Sequence, residues 1–208
     1  MARKYHHGDL KATLVRGALD RVARRGLEGL TLRAVARQAG VSSAAPYHHW
    51  DSLEALLDAA AEAVVERLAQ AVDEAVAPLG SSDLGARIKA ASEASARFVD
   101  ARGPWMQLAN QQASAGRGAG PPRGWWDPWR GAWMRAAGVR SDLPGLDQKL
   151  NLLWRAVQSV CLQRGPASGP GPAGISCMQA LEAELDGWLS VLGLTEAAWK
   201  ATAASAAV

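Results

Sequence analysis

The sequence predicts an all-α fold in which an N-terminal three-helix helix-turn-helix head is joined by one long helix to a C-terminal helical body. Three observations predict it. The stretch from Asp51 to Ala77 contains neither Gly nor Pro, apolar residues recur elsewhere at steps of three and four, and Gly- or Pro-rich breaks separate the resulting segments. The head is assigned to residues 1–50 and the body to residues 51–208, with 51–77 as the linking helix.

Residues 1–7 are read as a loose arm, with Arg3 and Lys4 able to reach a phosphate. From Gly8 to Arg25, Leu10, Leu14, Ala18 and Val22 repeat at four while Val15 and Leu19 widen the stripe, so this is an amphipathic helix, ended by Gly26. Its outer face carries Lys11, Arg21, Arg24 and Arg25. Thr31 is an N-cap for a short helix that buries Leu32, Val35, Ala36 and Ala39, exposes Arg33 and Arg37, and stops at Gly40. After Val41, Ser42 caps a second short helix, Ser43–His49, whose outward residues are Ser43, Ala44, Tyr47 and His48. Pro46 lacks the N–H that would bond the Ser42 carbonyl. Two short helices joined by a Gly-containing turn make the helix-turn-helix layout, whose second helix enters the major groove of DNA. Asp51 and Glu54, three apart, are read as the capping pair that starts the next helix.

That helix, Asp51–Ala77, is stopped by Pro78-Leu79-Gly80 and reaches roughly 40 Å at 1.5 Å per residue. A further helix from Asp83 to Ala101 turns Leu84, Ile88, Ala91, Ser95, Phe98 and Val99 inward, and Gly103-Pro104 opens another through Trp105, Met106, Leu108 and Ala109. Residues 114–124 are a loop by composition, and a Trp-rich segment with Trp125, Trp126, Trp129 and Trp133 follows. Residues 145–164 step Leu146, Leu150, Leu153, Val157 and Val160; residues 175–192 step Met178, Leu181, Leu185, Trp188 and Leu192. Joined by the flexible run 165–174, these two heptad-like stripes suit an antiparallel pair that a second copy would complete as a four-helix interface, with Leu146, Leu150, Leu153, Val157, Leu181, Leu185 and Trp188 at the contact. The Ala-rich tail from Thr195 is expected to fray.

Net charge is only +3, but residues 1–50 hold nine Lys or Arg against three Asp or Glu, with fourteen against seventeen in the remainder. A basic head on a mildly acidic body is the asymmetry of a chain whose one end meets nucleic acid. No nucleophile elbow, phosphate loop or carboxylate pair beside a base is found, so no catalytic residue and no cofactor is assigned. His6, His7, His48 and His49 are poorly spaced for a metal, and none is assigned. Cys161 and Cys177 are read as two small buried apolar residues rather than a disulfide framework. No apolar run approaches a membrane span, and the absence of a signal-peptide core places the chain in the cytoplasm.

The run AGVSSAAPYHHWDSLEALL, residues 39–57, resembles the DNA-binding signature of TetR-type transcriptional regulators through Ala39, Gly40, Val41, Ser42, Tyr47, Trp50, Ser52, Glu54, Leu56 and Leu57. Tyr5-His6-His7-Gly8-Asp9-Leu10 is similar to the start of one subset of that family, and Leu53 stands where the family commonly has a phosphate-facing Lys. The resemblance covers roughly residues 5–65. It implies an all-α homodimer on a palindromic double-stranded DNA operator, usually a repressor released when a small molecule shifts the linking helix. Thr31, Arg33, Ser42, Ser43, Ala44, Tyr47 and His48 are then the expected DNA contacts. For the effector, Phe98, Trp105, Met106, Gln107, Asn110, Trp129, Trp133, Trp154 and Gln158 offer an indole-rich wall with sparse amides, suited to a flat, largely uncharged ligand. Trp129 and Trp133 share a face with Trp125, while Trp126 points elsewhere and is read as a surface or structural residue. The competing reading is a DNA-binding protein, constitutive or protein-controlled, with no small-molecule ligand.

Overall fold

Where the chain can continue a helix is decided by its caps, and the computed structural model, which describes residues 7–80, 83–114, 126–138, 145–164 and 176–195, shows those caps in place. Its elements are α1 His7–Arg25, α2 Leu32–Gln38, a 3-10 turn Ala45–His48, α3 Leu53–Val76, α4 Leu84–Ala101, α5 Gly103–Ser114, α6 Asp127–Ala137, α7 Leu146–Arg164 and α8 Cys177–Leu192. Among the described residues no strand occurs. The Thr31 hydroxyl accepts from the Ala34 N–H at 3.1 Å. At the other end of α2, Gly40 takes φ +69°, its N–H bonds the Arg37 carbonyl at 3.2 Å, and the Val41 N–H bonds Ala36 at 3.0 Å. This reciprocal pair satisfies two orphan carbonyls and is open to Gly at no steric cost.

Several boundaries differ from expectation. Helix α3 starts at Leu53 because the Ser52 hydroxyl accepts from the Ala55 N–H at 3.1 Å, so the cap is Ser52 and not the Asp51/Glu54 pair. Helix α8 starts at Cys177 behind a full capping box: Ser176 Oγ accepts from the Gln179 N–H and Gln179 Oε1 accepts from the Ser176 N–H. Ser176 and Gln179 stand three apart, the spacing that such a box requires. Residue 7, assigned to the arm, is the first of α1. Arm residues 1–6, loop residues 115–124, Trp125, the run 165–174 and the tail after Thr195 lie outside the described residues.

The chain divides into two compact units, Met1–Val65 with Pro104–Trp125, and Glu66–Gly103 with Trp126–Val208. The division thus falls inside α3 rather than at residue 50, and α5 sides with the head. Its anchor is chemical as well as apolar. The Trp105 indole N–H donates to the Leu19 carbonyl at 3.0 Å while Met106, Leu108 and Ala109 are buried beside it in sequence. A buried indole N–H must find an acceptor, and a carbonyl of α1 supplies it.

In the second unit α4 is the hub, packing against α6, α7 and α8. Its buried residues are mostly Ala and Ser, which keeps the helix thin enough for three neighbours. The Ser92 and Ser95 hydroxyls donate to the Ile88 and Ala91 carbonyls at 2.8 Å, so burying them leaves no donor open. At the end of α4 the Asp100 carboxylate accepts from the Cys177 and Met178 N–H groups at 2.8 and 3.0 Å, capping α8 from outside its own segment. Arg87 collects three carbonyls, Ala136 at 2.7 Å, Leu79 at 3.0 Å and Arg135 at 3.3 Å, tying the ends of α6 and α3 to α4.

Helices α7 and α8 pack together, with the late α7 residue Cys161 against the early α8 residue Cys177, so the pair is antiparallel as expected. Its apolar stripe, however, does not face outward. Leu150, Leu153, Val157, Leu181 and Leu185 are all buried to within 1% inside the single chain, because α4 covers the stripe. Assigning those five to a contact with a second copy is corrected accordingly. The Leu146 side chain lies outside the description, and Trp188 is half-buried. Placing an Arg at Leu185 buries a charge without a partner, so Leu185→Arg should cost at least about 3 kcal/mol and melt the second unit. Loss of the cooperative thermal transition followed by circular dichroism is the expected result; a folded monomer with an unchanged transition would contradict the assigned burial.

Candidate nucleic-acid interface

The recognition segment is shorter and tighter than a Ser43–His49 α-helix. Pro46 has no N–H to give the Ser42 carbonyl, so the Ala45 N–H takes it at 3.0 Å, and the Tyr47 N–H bonds Ala44 at 3.1 Å. The result is a 3-10 turn over Ala45–His48 whose start has no side-chain cap, so Ser42 contributes its carbonyl and not the expected hydroxyl. The His49 and Trp50 N–H groups share the Pro46 carbonyl at 2.9 and 3.0 Å.

This shortening leaves the predicted face intact. Ala45 and Pro46 are buried toward the head, while Ser42, Ser43, Ala44, Tyr47 and His48 are exposed, Tyr47 at 52%. Trp50 is buried beneath the turn, edge-on to His49 at 5.6 Å and with the Lys11 ammonium 6.0 Å from its ring centroid. His49 therefore packs. Thr31 and Arg33 are exposed at the start of α2, and Arg37, Arg16, Arg24 and Arg25 are exposed as well. The large exposed Tyr, a His, two small residues and a spread of guanidinium groups are the donor types that phosphates and base edges take up.

The model of bacterial regulatory proteins of the tetR family matches residues 14–60, which span α1, α2, the turn and the start of α3. The head is thus similar to the DNA-binding head of TetR-type regulators. A tetracycline repressor protein class A from transposon 1721, of Escherichia coli, is 45% identical over 53 residues, 26% of this chain and 24% of that protein, so the chain matches about a quarter of that relative's length. Over the whole chain, a Rhodococcus sp. RHA1 protein described as of unknown function has TM-score 0.68 at 28% identity, covering 90% of this chain and 97% of its own. A tetR-family transcriptional regulator from Streptomyces coelicolor has TM-score 0.67 at 20% identity, covering 94% and 85%. That last likeness shows the fold.

The residues expected at an effector site fall into both units. Trp105 and Met106 are buried in the first, with Gln107 and Asn110 exposed. Phe98, Trp129, Trp133, Trp154 and Gln158 fall in the second. There, Trp129 and Trp133 are fully buried and both donate their indole N–H to Ser95 Oγ, at 3.0 and 3.3 Å. With its own proton on the Ala91 carbonyl, one hydroxyl satisfies two indoles. Trp126, half-expected at the surface, is buried and edge-on to Trp129 at 6.0 Å; Trp154 stands edge-on to the other side at 5.9 Å. The Trp154 N–H differs from those of Trp129 and Trp133: it is buried and has no acceptor among the described residues. Phe98 and Gln158 are half-buried, one turn from Ser95 and Trp154 on their helices.

Among the described residues no group of three or more His, Cys, Asp or Glu could hold a metal, and no helix is long and apolar enough to cross a membrane. Arg135 makes a two-bond pair with Asp73, 3.2 and 2.7 Å, and that hydrogen bonding raises its pKa further above the ordinary guanidinium value. The Cys161 thiol is raised well above its ordinary range, first by its hydrogen bond with Cys177 and then by burial.

Proposed function

We propose that this chain is a DNA-binding transcriptional regulator that acts as a homodimeric repressor on a palindromic operator and is released by a small, largely apolar or aromatic effector. The observation that carries the DNA-binding part is the exposure of Ser43, Ala44, Tyr47 and His48 on one tight turn above a buried Pro46 and Trp50, in a basic head. Repression is supported by the name of the tetracycline repressor with which the head shares 45% identity. In this reading Tyr47 and His48 meet phosphate and base edges, and Thr31 and Arg33 hold a neighbouring phosphate. Tyr47→Ala should weaken operator binding by about 1 to 3 kcal/mol without altering the fold, and log K should fall with log salt at a slope of about −5 to −7. Mobility shift with DNA from immediately upstream of the gene, repeated across salt, checks both; unchanged affinity in the variant would remove the turn from the interface.

Dimerisation is proposed on the outer face of α7 and α8. Leu152 and Val191 are exposed at 59% and 87%, the half-buried Trp188 lies one turn from Val191, and Gly187 leaves open space beside it. Apolar side chains so placed are what a second copy would cover. Val191→Arg should therefore give folded monomers with weakened operator binding by sedimentation and mobility shift. A dimer as tight as the original would move the interface elsewhere.

For the effector, the support is the open Trp154 donor among edge-on indoles. A buried N–H without an acceptor costs stability, and a carbonyl, ether or phenol oxygen on a flat aromatic compound would satisfy it. Indole fluorescence titrated with such compounds should quench saturably. Trp154→Phe, which keeps a ring and removes the donor, should lower their affinity roughly tenfold with no loss of thermal stability. If no compound quenches saturably, the indoles are core alone.

A further inference from the structure

The two cysteines lie sixteen positions apart, with residues 162–176 between them, yet their sulfurs are 3.3 Å apart in the interior of the second unit. Both are buried to within 1%, and both are free thiols. Cys161 is in the last turn of α7 and Cys177 is the first residue of α8. Three independent devices hold Cys177 there. Its N–H donates to Asp100 at 2.8 Å, the Met178 N–H donates to the same carboxylate at 3.0 Å, and the Ser176/Gln179 capping box fixes the turn before it. Two thiols in hydrogen-bond contact, one on a firmly held helix start, need close by only roughly 1.2 Å to reach a disulfide bond length of about 2.05 Å.

We propose that Cys161 and Cys177 form a reversible intrachain disulfide in the folded protein when it meets hydrogen peroxide, crosslinking the end of α7 to the start of α8. Peroxide fits the site because it is small and uncharged, whereas a bulky disulfide oxidant has no way to dock on sulfurs this buried. One thiol gives up its proton and the thiolate attacks a peroxide oxygen; the O–O bond breaks, the sulfur is left as a sulfenic acid, and the departing hydroxide takes up that proton as the first water. The second thiolate attacks the sulfenic sulfur and displaces hydroxide, which is protonated to a second water. In sum two thiols and one peroxide give one disulfide and two waters; both sulfurs are oxidised and both peroxide oxygens reduced. The adjacent resolving thiol is what stops the first sulfur from proceeding to sulfinic acid. The hydrogen bond with Cys177 and burial raise the Cys161 thiol well above its ordinary range, so loss of its proton is the step that opens the reaction.

The test uses the full-length protein. Exposure to hydrogen peroxide, then alkylation with N-ethylmaleimide and intact-mass measurement, should show loss of two hydrogens and no alkylation, with a Cys161–Cys177 peptide recovered on non-reducing digestion. Closing a loop of this size should raise the melting temperature by about 6 to 12 °C, reversed by dithiothreitol. Cys161→Ala and Cys177→Ala should each abolish both effects, and should either variant fail to fold, the mass of the unmodified protein still decides. Thiols that remain fully alkylatable, sulfinic or sulfonic products without the linked peptide, or a crosslink between two molecules would each overturn the proposal.

Discussion

In the second unit, bulky indoles must be buried against a helix thin enough to receive three neighbours, and every polar group taken inside must still find a partner. Ser95 meets both demands at once. Its side chain is small enough for α6 to approach α4, and its single oxygen accepts two indole N–H groups while its proton returns to the Ala91 carbonyl. An Ala there would save the same space but strand two buried donors, at about 1 to 3 kcal/mol each. The small residues of α4 and the large ones of α6 are therefore one solution, and the stripes of α7 and α8 complete it by closing over the same helix.

The head solves a different problem, presenting side chains on a segment too short to be stable alone. A four-residue 3-10 turn has little intrinsic stability, so it is held from below by buried Ala45, Pro46 and Trp50 and from its ends by the Ser42 and Pro46 carbonyls. Pro46 is central to this. By removing one N–H it forbids the α-helical bond and imposes the tighter turn, and its ring supplies apolar contact that a longer helix would otherwise have to provide.

Helix ends and periods were legible because they are written locally, in Gly26, Gly40, Thr31 and runs of apolar residues at three and four. The face of the recognition turn was legible for the same reason. What covers each apolar stripe was not. A stripe at heptad spacing announces that it is buried but not by which helix, and α4, rich in Ala and Ser, advertises no stripe strong enough to claim α7 and α8. The polar ties were equally silent. Arg87 finds a carbonyl 49 residues away, the Trp129 indole a hydroxyl 34 residues away, and the two cysteine sulfurs meet from positions 16 apart. Such pairings depend on tertiary placement, which spacing along the chain does not encode.

Helix α3 belongs covalently to both units, and the ties at its far end differ in what they can transmit. The Asp73–Arg135 pair is well formed but more than 40% exposed on both sides, so solvent screening leaves it worth under about 1 kcal/mol. Arg87 is the stronger link: three hydrogen bonds from one charged group, two of them partly buried, join the turn after α3 to the last carbonyls of α6. Helix α6 also carries Trp129 and Trp133, whose N–H groups are fixed to α4. In the proposed regulator, a compound accepted by Trp154 would press first on Trp129, which stands edge-on to it, and α6 cannot shift without straining the Arg87 bonds to both α4 and the end of α3. The Ser95 site fixes both α6 indoles to α4 through one hydroxyl. In that reading the Arg87 cluster is the route by which displacement at the indoles would reach the end of α3 within the second unit.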